Sequence, residues 1–340
     1  MGKRNDKIRI INDNGVEVEA QTPIIISASR STDIPAFYSD WFVNRFKKGY
    51  LSWINPFNKT HPFYVSFAKT RLIVFWSKNP KPLIKHLDYF DKKGINYYFQ
   101  FTINDYEKEK LEPNVPCLDK RINTFISLSQ RIGKEKIIWR FDPYILTDKI
   151  DVKEAMNRTK YIGDRLKDYT NKLVFSFADI EVYKKVKNNL NRGNVNYKAF
   201  DKQTMNQLAK YLMDLNKEWN FKIGTCAEEI DLEKFGIEHN KCIDDELIKD
   251  IFSNDVELMK FLGFEKNLFG ELMKIPSRKN NMKDKGQRKA CGCIQSKDVG
   301  QYNTCPHNCV YCYANTSKEI VLKNYNKHNC NPFSETIIGD

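Results

Sequence analysis

Three cysteines near the C-terminus have the spacing of an iron–sulfur ligand loop. They lie in the segment Cys305-Pro-His-Asn-Cys309-Val-Tyr-Cys312. Three thiolates can hold three irons of a [4Fe–4S] cluster and leave the fourth iron open, whereas a cluster that only carries electrons has four protein ligands. An open iron can bind the amino and carboxylate groups of S-adenosylmethionine (SAM) and deliver an electron to it. Zinc is the alternative, although zinc sites usually combine paired C-x2-C units and this loop contains one.

Further cysteines predict a second metal site. Only Cys117 of the nine cysteines lies in the first 225 residues, a distribution that packing alone does not explain. Four thiolates are enough for an auxiliary [4Fe–4S] cluster or a structural zinc ion. The candidate ligands are Cys226, Cys242, Cys291 and Cys293. Alternatively, Cys226 and Cys242 are small apolar residues of the core, and Cys117 and Cys330 are expected to be packing or surface thiols.

Strand-like runs alternate with helical patterns along the chain. A β-hairpin is predicted at 7–11 and 16–20, around Asp13-Asn14-Gly15. Seven apolar runs follow, typical of strands buried on both faces of a parallel sheet. They are 24–29, 50–55, 72–79, 97–102, 136–142, 172–179 and 221–228, and helical patterns lie at 36–48, 81–92, 118–132, 152–169 and 202–218. This alternation predicts a complete or partial (β/α) TIM-like barrel, with an open doubly wound sheet as the alternative.

Polar residues follow nearly every predicted strand. In a barrel, the carboxyl ends of the strands meet at one mouth, where enzymes of this fold build their sites. The predicted catalytic residues at this mouth are Arg30, Asp33, Arg140 and Asp142, and the predicted cofactor contacts are Lys78, Asn79, Glu228 and the loop residue Tyr311. Each could instead belong to a structural ion pair, and Arg140 could pair with Asp142. His307, inside the cysteine loop, is expected either to hydrogen-bond a cluster sulfur or to face solvent.

The cysteine loop resembles the signature of the radical SAM superfamily, including the aromatic residue Tyr311 before the last cysteine. The resemblance implies a (β/α) barrel, a [4Fe–4S] cluster and cleavage of SAM to a 5′-deoxyadenosyl radical. It also implies an electron donor such as flavodoxin or ferredoxin. In most members the loop follows the first strand, whereas here it comes after all seven predicted strands. Either the barrel is circularly permuted or the tail folds back over its mouth.

The whole chain also resembles an uncharacterised bacterial family. Its members combine an N-terminal Ser-x-Arg-x-Thr-Asp-Ile-Pro-Ala-Phe-Tyr segment with a C-terminal cysteine cluster. The corresponding segments here are Ser-Arg-Ser-Thr-Asp-Ile-Pro-Ala-Phe-Tyr at 29–38 and the cysteine-rich stretch at 291–315. Some relatives resemble spore photoproduct lyase, a radical SAM enzyme of DNA repair, but the family brings no settled substrate.

The composition indicates a basic, cytoplasmic protein with no membrane partner. Lysine and arginine number 56 against 43 aspartates and glutamates, a formal net charge of +13, which is compatible with a nucleic-acid partner or with a generally lysine-rich chain. No stretch is apolar enough to span a bilayer, and no signal region follows the N-terminus. A basic linker at 276–290 is expected to join a barrel domain at 1–275, with its N-terminal hairpin, to a cysteine-rich tail at 291–340 that packs on the barrel.

The sequence therefore predicts a radical SAM enzyme. Its substrate stays open, and the basic balance favours nucleic acid or a nucleotide. One alternative is a non-catalytic zinc or iron–sulfur metalloprotein that binds nucleic acid. Another is a SAM-independent barrel hydrolase built on the arginines and aspartates at the strand ends, which would stay active without the motif cysteines.

Overall fold

The computed structural model describes residues 6–55, 58–267, 269–275 and 282–339. In chain order the first strands are β1 (Lys7–Ile11), β2 (Glu17–Gln21), β3 (Ile25–Ala28), β4 (Tyr50–Asn55), β5 (Asn58–Ser66), β6 (Leu72–Ser77), β7 (Asn96–Thr102) and β8 (Ile137–Tyr144). The others are β9 (Leu146–Thr147), β10 (Lys172–Phe177), β11 (Tyr197–Lys198), β12 (Lys222–Thr225), β13 (Glu238–His239), β14 (Phe264–Lys266), β15 (Leu272–Lys274) and β16 (Lys297–Asp298).

Along the chain, most of the helices come between consecutive strands of the larger sheet. They are α1 (Ile34–Phe37), α2 (Ser39–Lys48), α3 (Lys81–Ile84), α4 (Leu87–Lys92), α5 (Leu118–Ile132), α6 (Val152–Leu166), α7 (Lys184–Arg192), α8 (Lys202–Trp219), α9 (Asp245–Phe252), α10 (Val256–Leu262) and α11 (Lys318–Cys330). Asp33, Asp151 and Asp201 cap α1, α6 and α8 by accepting a backbone N–H that would otherwise lack a partner. In the described part of the chain, none of these helices has both the length and the apolar character to cross a membrane.

The larger sheet has eight strands in the order β13–β12–β10–β8–β7–β6–β3–β16. Every neighbouring pair is parallel, which confirms the predicted parallel α/β arrangement. From β3 to β13 the strands follow chain order, without the reversal of a doubly wound sheet. β13 and β16 are the outer strands, and within the described residues no strand pairing joins them into a closed barrel.

The smaller sheet contains the N-terminal hairpin and a strand that the sequence pattern assigns to the barrel. Its order is β1–β2–β5–β4, and β1 and β2 pair antiparallel as predicted. β4 pairs antiparallel with β5, so the prediction that 50–55 is a barrel strand is wrong. The connection from β4 at Asn55 to β5 at Asn58 is too short for the crossover that a parallel neighbour requires.

The larger sheet is buried on both faces, because neighbouring residues of its strands enter two different apolar cores. In β3, Ile26 belongs to the larger core and Ile25 to the smaller one. Helices α5, α6 and α8 cover the larger core. Helices α9 and α10, together with the segments around Cys242 and Cys293, cover the smaller core.

The C-terminal segment returns to the first strand of the larger sheet. β16 pairs with β3, and the loop with the three cysteines follows it directly. After α11 the chain contacts the N-terminal half, where Trp41 Nε1 donates a hydrogen bond to the Ser334 carbonyl at 2.9 Å. Residues 276–281 of the predicted linker lie outside the described residues, whereas Lys283 forms an antiparallel bridge with Ile294. The cysteine loop therefore starts from a strand of the sheet.

Candidate metal centre

Asp298, at the end of β16, anchors the start of the cysteine loop to β3. Its carboxylate accepts hydrogen bonds from Ser27 Oγ at 2.9 Å, Ser29 Oγ at 2.7 Å and the Arg30 backbone amide at 2.9 Å. Gly300 passes so close to the same strand end that an added Cβ would lie 1.8 Å from Ser29 Oγ. The loop therefore leaves the sheet at the carboxyl end of its parallel strands, the edge where α/β proteins place ligand sites.

Gly300→Ala is expected to destabilise the protein by about 1–3 kcal/mol, because the added methyl group forces the loop away from β3. Urea unfolding followed by circular dichroism measures this change. Gly286→Ala is the matched control, since its added Cβ would have a side-chain oxygen at 3.2 Å as its nearest neighbour. A Gly300 variant that unfolds at the same urea concentration as the wild type would contradict the close approach of loop and strand.

The motif cysteines, Cys305, Cys309 and Cys312, are free thiols on this loop. As thiolates these cysteines would repel one another, which shows that the three side chains lie near one another. Burial raises the pKa of Cys305 to about 12, the pKa of Cys309 well above its usual value, and the pKa of Cys312 as well. A metal that binds here must displace the thiol protons.

His307 ties the middle of the loop to two distant segments. Its Nε2 lies 2.8 Å from Asp33 Oδ2, and its Nδ1 lies 3.1 Å from the Asn114 carbonyl. The ring is buried and packs edge-on against Phe37 at a centroid distance of 4.6 Å. Neither predicted role of His307, a bond to a cluster sulfur or exposure to solvent, matches this position.

Asp33, in the 29–38 segment, holds the cysteine loop through its contact with His307. Besides facing His307, it accepts hydrogen bonds from Ser77 Oγ and from the Lys78 amide, both at 2.7 Å. Five residues on, the Tyr38 hydroxyl donates to the Thr304 carbonyl, just before the first motif cysteine. The 29–38 segment therefore holds the cysteine loop through Asp33, which contacts His307, and through Tyr38, which contacts Thr304 just before the loop.

Glu112 lies at the centre of a buried charged group behind the loop. It accepts hydrogen bonds from Lys78 Nζ at 2.7 Å, from Arg121 Nη1 at 3.4 Å and from the Tyr311 hydroxyl. Burial by itself would raise the pKa of Glu112, but the charges of Lys78 and Arg121 lower it to about 2. The polar ends of Lys78 and Tyr311 are therefore used in contacts within the protein, and their predicted contact with a cofactor stays a prediction.

Arg140 and Asp142, at the end of β8, form the ion pair that the sequence left as an alternative. Arg140 is buried and also donates from Nη1 to Gln100 Oε1 at 3.0 Å and to Cys242 Sγ at 2.9 Å. Asp142 accepts a further hydrogen bond from the Ser176 hydroxyl. Burial would raise the pKa of Asp142, but the Arg140 charge lowers it, so the carboxylate stays ionised at neutral pH.

Asn104 connects the cysteine loop to this ion pair. Its Nδ2 donates to the Tyr311 hydroxyl at 3.0 Å, and its Oδ1 accepts from the Asp142 amide at 2.9 Å. Through Asp142 and Arg140 the same network continues to Cys242. The network therefore connects Tyr311, in the cysteine loop, to Cys242 in the second group of predicted ligands.

The second group of cysteines comes together from distant parts of the chain. Cys226 Sγ lies 3.5 Å from Cys242 Sγ, and the Cys242 amide donates to Cys293 Sγ at 3.2 Å. Cys117 and Cys330 are exposed, in keeping with their prediction as packing or surface thiols. Across the described ranges, no group of three or more His, Cys, Asp or Glu side chains is already arranged to hold a metal ion.

The other predicted site residues lie at the same edge of the sheet. The Arg30 guanidinium and the Arg140 guanidinium both lie over the Trp76 ring, 5.2 and 5.1 Å from its centroid. Within the described residues, Arg30 Nη2 and Trp76 Nε1 are buried without a hydrogen-bond acceptor. Glu228 is buried, accepts from the Phe177 amide at 2.9 Å, and has its pKa raised by burial to about 8. The Asn79 amide donates to Ser77 Oγ at 2.9 Å.

Sequence reasoning missed Glu112, Asn104 and Asp298. Glu112 and Asn104 lie between β7 and α5, in a connection much longer than the usual ~4–6 residues, and that length could have drawn attention to them. Asp298 ends a two-residue strand that has no apolar pattern of its own, so no local signal points to it.

Residues 25–314 match the sequence profile of a family described as Domain of unknown function (DUF1848). The match runs from β3 through the last motif cysteine and so includes the 29–38 segment as well as the cysteine loop. No curated protein and no solved structure matches the chain. Because the matched region covers most of the sequence, the prediction of an uncharacterised family is confirmed: the chain belongs to the family described as Domain of unknown function (DUF1848).

Proposed function

We propose that the chain is a radical SAM enzyme that holds a [4Fe–4S] cluster through Cys305, Cys309 and Cys312. The observation that carries the proposal is the place of the loop, directly after β16 and at the carboxyl end of the parallel sheet. In most members of the radical SAM superfamily the three-cysteine loop follows the first barrel strand. β16 lies next to β3, where such a first strand would lie, although it comes last in the chain, so the arrangement supports circular permutation.

The donor set fits such a cluster. One loop supplies three thiols that lie near one another, and a cluster binds each thiolate to a different iron. The ligands of a cluster therefore need not surround one point, as those of a single ion must. Within the described residues, no group of side chains is arranged to hold a single metal ion. A cluster does not require that arrangement, so the two observations are compatible.

Held by Cys305, Cys309 and Cys312, a [4Fe–4S] cluster would supply one-electron reduction of SAM, with a flavodoxin or ferredoxin as the electron donor, so that SAM would be cleaved to methionine and a 5′-deoxyadenosyl radical. The residues of the chain fix the ligand loop. Asp33 holds His307, and Glu112 and Lys78 hold Tyr311, so both halves of the loop are tied to buried side chains. These contacts support a positioning role for Asp33 and Lys78, because small displacements of reacting groups cost a large part of the rate.

Arg30 is our candidate for contact with an anionic group of SAM or of the substrate. It follows β3 at the same edge of the sheet as the cysteine loop, and its backbone carbonyl accepts a hydrogen bond from the Tyr313 hydroxyl. Its buried Nη2 has no acceptor within the described residues. A buried guanidinium donor without a partner is costly, and a bound carboxylate or phosphate would satisfy it.

Anaerobic reconstitution with iron and sulfide, followed by reduction, tests the proposal. We expect a [4Fe–4S]⁺ electron paramagnetic resonance (EPR) signal that changes when SAM is added, together with formation of 5′-deoxyadenosine. Tightly bound zinc, no cluster and no SAM cleavage would contradict the proposal. The alternative of a structural metal tail on a nucleic-acid-binding protein would then be the better account.

The substrate class that we propose is nucleic acid or a nucleotide, on the basis of the net charge of +13. Exposed lysines lie just before Cys291 in the sequence, among them Lys285 and Lys289. Phosphate groups bind such side chains by releasing condensed counterions, which makes the affinity salt-dependent.

The double substitution Lys285→Gln, Lys289→Gln is expected to weaken binding of duplex DNA and to flatten its salt dependence. Each lost phosphate contact lowers the slope of log K against log salt concentration by about 0.9. Fluorescence anisotropy at several salt concentrations measures both quantities. Lys202→Gln, Lys210→Gln removes the same charge from exposed positions of α8 and serves as the control. Equal slopes for the wild type and the first variant would count against a nucleic-acid contact at 285–289.

A further inference from the structure

We propose that Cys226, Cys242, Cys291 and Cys293, here called the second-site cysteines, bind a separate thiophilic metal centre. The centre is either a zinc ion or an iron–sulfur cluster, both of which take four thiolates. It lies within the smaller core rather than on the cysteine loop after β16. Its metal content does not depend on the function proposed for that loop.

Main-chain hydrogen bonds hold the segments that carry these thiols side by side. Cys226 directly follows β12, whose Thr225 carbonyl accepts from the Asn240 amide at 2.9 Å. Cys242 lies two residues after Asn240. Next to it, the Ile294 amide donates to the Ile243 carbonyl at 3.0 Å. The last of these contacts places the Cys291–Cys293 segment against the Cys242 segment. These main-chain contacts therefore bring together thiols from three separate stretches of the sequence.

The sulfur positions suit shared coordination. Cys226 Sγ and Cys242 Sγ are 3.5 Å apart and the cysteines are free rather than joined in a disulfide. Two thiolates on one tetrahedral zinc ion, each at about 2.3 Å from the metal, are separated by a similar distance. Cys293 lies within hydrogen-bonding reach of both Cys242 and Cys291. Within the described residues the four side chains do not surround one point.

Hydrogen-bond donors surround the sulfur atoms, which distinguishes this site from ordinary core packing. Arg140 Nη1 lies 2.9 Å from Cys242 Sγ, and Asn240 Nδ2 lies 3.2 Å from the same atom. The amides of Cys242 and Ile243 point at Cys293 Sγ, at 3.2 and 3.5 Å. Small apolar core residues need no donors, whereas metal thiolates are stabilised and tuned by N–H groups aimed at sulfur.

Positive charge at the site favours the same conclusion. The Arg30 guanidinium lies near the carboxylate of Asp298 and near the thiols of Cys293, Cys242 and Cys291. Arg140 adds a second buried guanidinium. Arg140 is paired with Asp142, and Asp298 lies near Arg30. A tetrathiolate centre, which has a net negative charge with either zinc or a [4Fe–4S]²⁺ core, would add further negative charge beside both guanidiniums.

The test uses a background in which the motif cysteines are removed, Cys305→Ala with Cys309→Ala and Cys312→Ala. After anaerobic purification and reconstitution, we expect this protein to retain about one zinc ion or about four irons with sulfide per chain. Elemental analysis distinguishes the two. Adding Cys226→Ala and Cys293→Ala is expected to remove the retained metal, whereas adding Cys117→Ala, at an exposed position, is expected to leave it. A folded background protein without bound metal, or metal that survives loss of Cys226 and Cys293, would overturn the proposal.

A second measurement needs no variant and guards against misfolding of the substituted proteins. The metal-loaded wild type is treated with a thiol-alkylating reagent before and after a strong chelator, and the labelled cysteines are identified by mass spectrometry. We expect the second-site cysteines to be labelled only after chelation, while Cys117 and Cys330 are labelled at once. Labelling of Cys242 and Cys293 at the same rate with and without chelator, in protein that keeps its native circular dichroism spectrum, would contradict a metal at this site.

Discussion

Cys309→Ala is expected to abolish cluster binding at the loop after β16 and, with it, SAM cleavage. Two thiols cannot replace three as cluster ligands, so the iron content should fall by about four atoms per chain. Production of 5′-deoxyadenosine should fall to the background of the assay without protein. Iron and sulfide analysis, EPR with and without SAM, and chromatography of the products measure these changes.

The matched control for this substitution is Cys117→Ala. Cys117 is exposed at the start of α5, and its side chain makes no capping hydrogen bond there. The control should keep both the SAM-sensitive EPR signal and 5′-deoxyadenosine formation. Iron that remains in the Cys309 variant without a SAM-sensitive signal would belong to the second-site cysteines. Undiminished 5′-deoxyadenosine formation by Cys309→Ala would refute the proposed role of the loop.

The strands of the larger sheet could be predicted because they are continuous apolar runs. In β6, for example, Leu72, Ile73, Val74 and Phe75 are fully buried, with Ile73 and Phe75 in one core and Leu72 and Val74 in the other. β16 could not be predicted in this way. Its two residues, Lys297 and Asp298, are polar, and they form a strand only because β3 offers them a free edge. Pairing of this kind depends on tertiary structure, not on local propensity.

The candidate site, like the fold, could be predicted only where the signal is local in the sequence. The spacing of the motif cysteines and the short sequence distance between Arg140 and Asp142 are local signals, and the Arg140–Asp142 pair is formed. The partner of His307 is Asp33, which lies 274 positions earlier in the chain. No pattern within the loop could identify that contact. Asp33 was predicted as a mouth residue, but its contacts with the loop require the return of the chain to β3.

The network through Asn104, Asp142 and Arg140 places the two cysteine groups in one structural unit. Tyr311, between two motif cysteines, is joined through Asn104 to the end of β8. From there Arg140 reaches Cys242. The cysteine loop and Cys242 are therefore both supported by buried or half-buried polar groups at the end of β8.

Glu112→Ala is expected to destabilise the protein by about 3–5 kcal/mol, because it leaves Lys78 and Arg121 as buried cations without their shared carboxylate. Glu112→Gln keeps the shape and one acceptor oxygen and should have a smaller effect. Urea unfolding followed by circular dichroism measures the difference. Glu218→Ala removes an exposed carboxylate from α8 and should change the stability by less than about 0.5 kcal/mol.

The pH dependence provides a second test of the same group. The Lys78 and Arg121 charges hold the pKa of Glu112 at about 2 in the folded protein, below the ordinary glutamate value of 4.5. Its ionised form therefore stabilises the fold fully above about pH 4.5, and this contribution is lost as the pH falls towards 2. The stability difference between the wild type and Glu112→Gln should shrink over that interval. A Glu112→Ala variant as stable as the wild type at neutral pH would show that Lys78 and Arg121 find other partners, and Glu112 would not be the residue that holds Tyr311 and the cysteine loop in place.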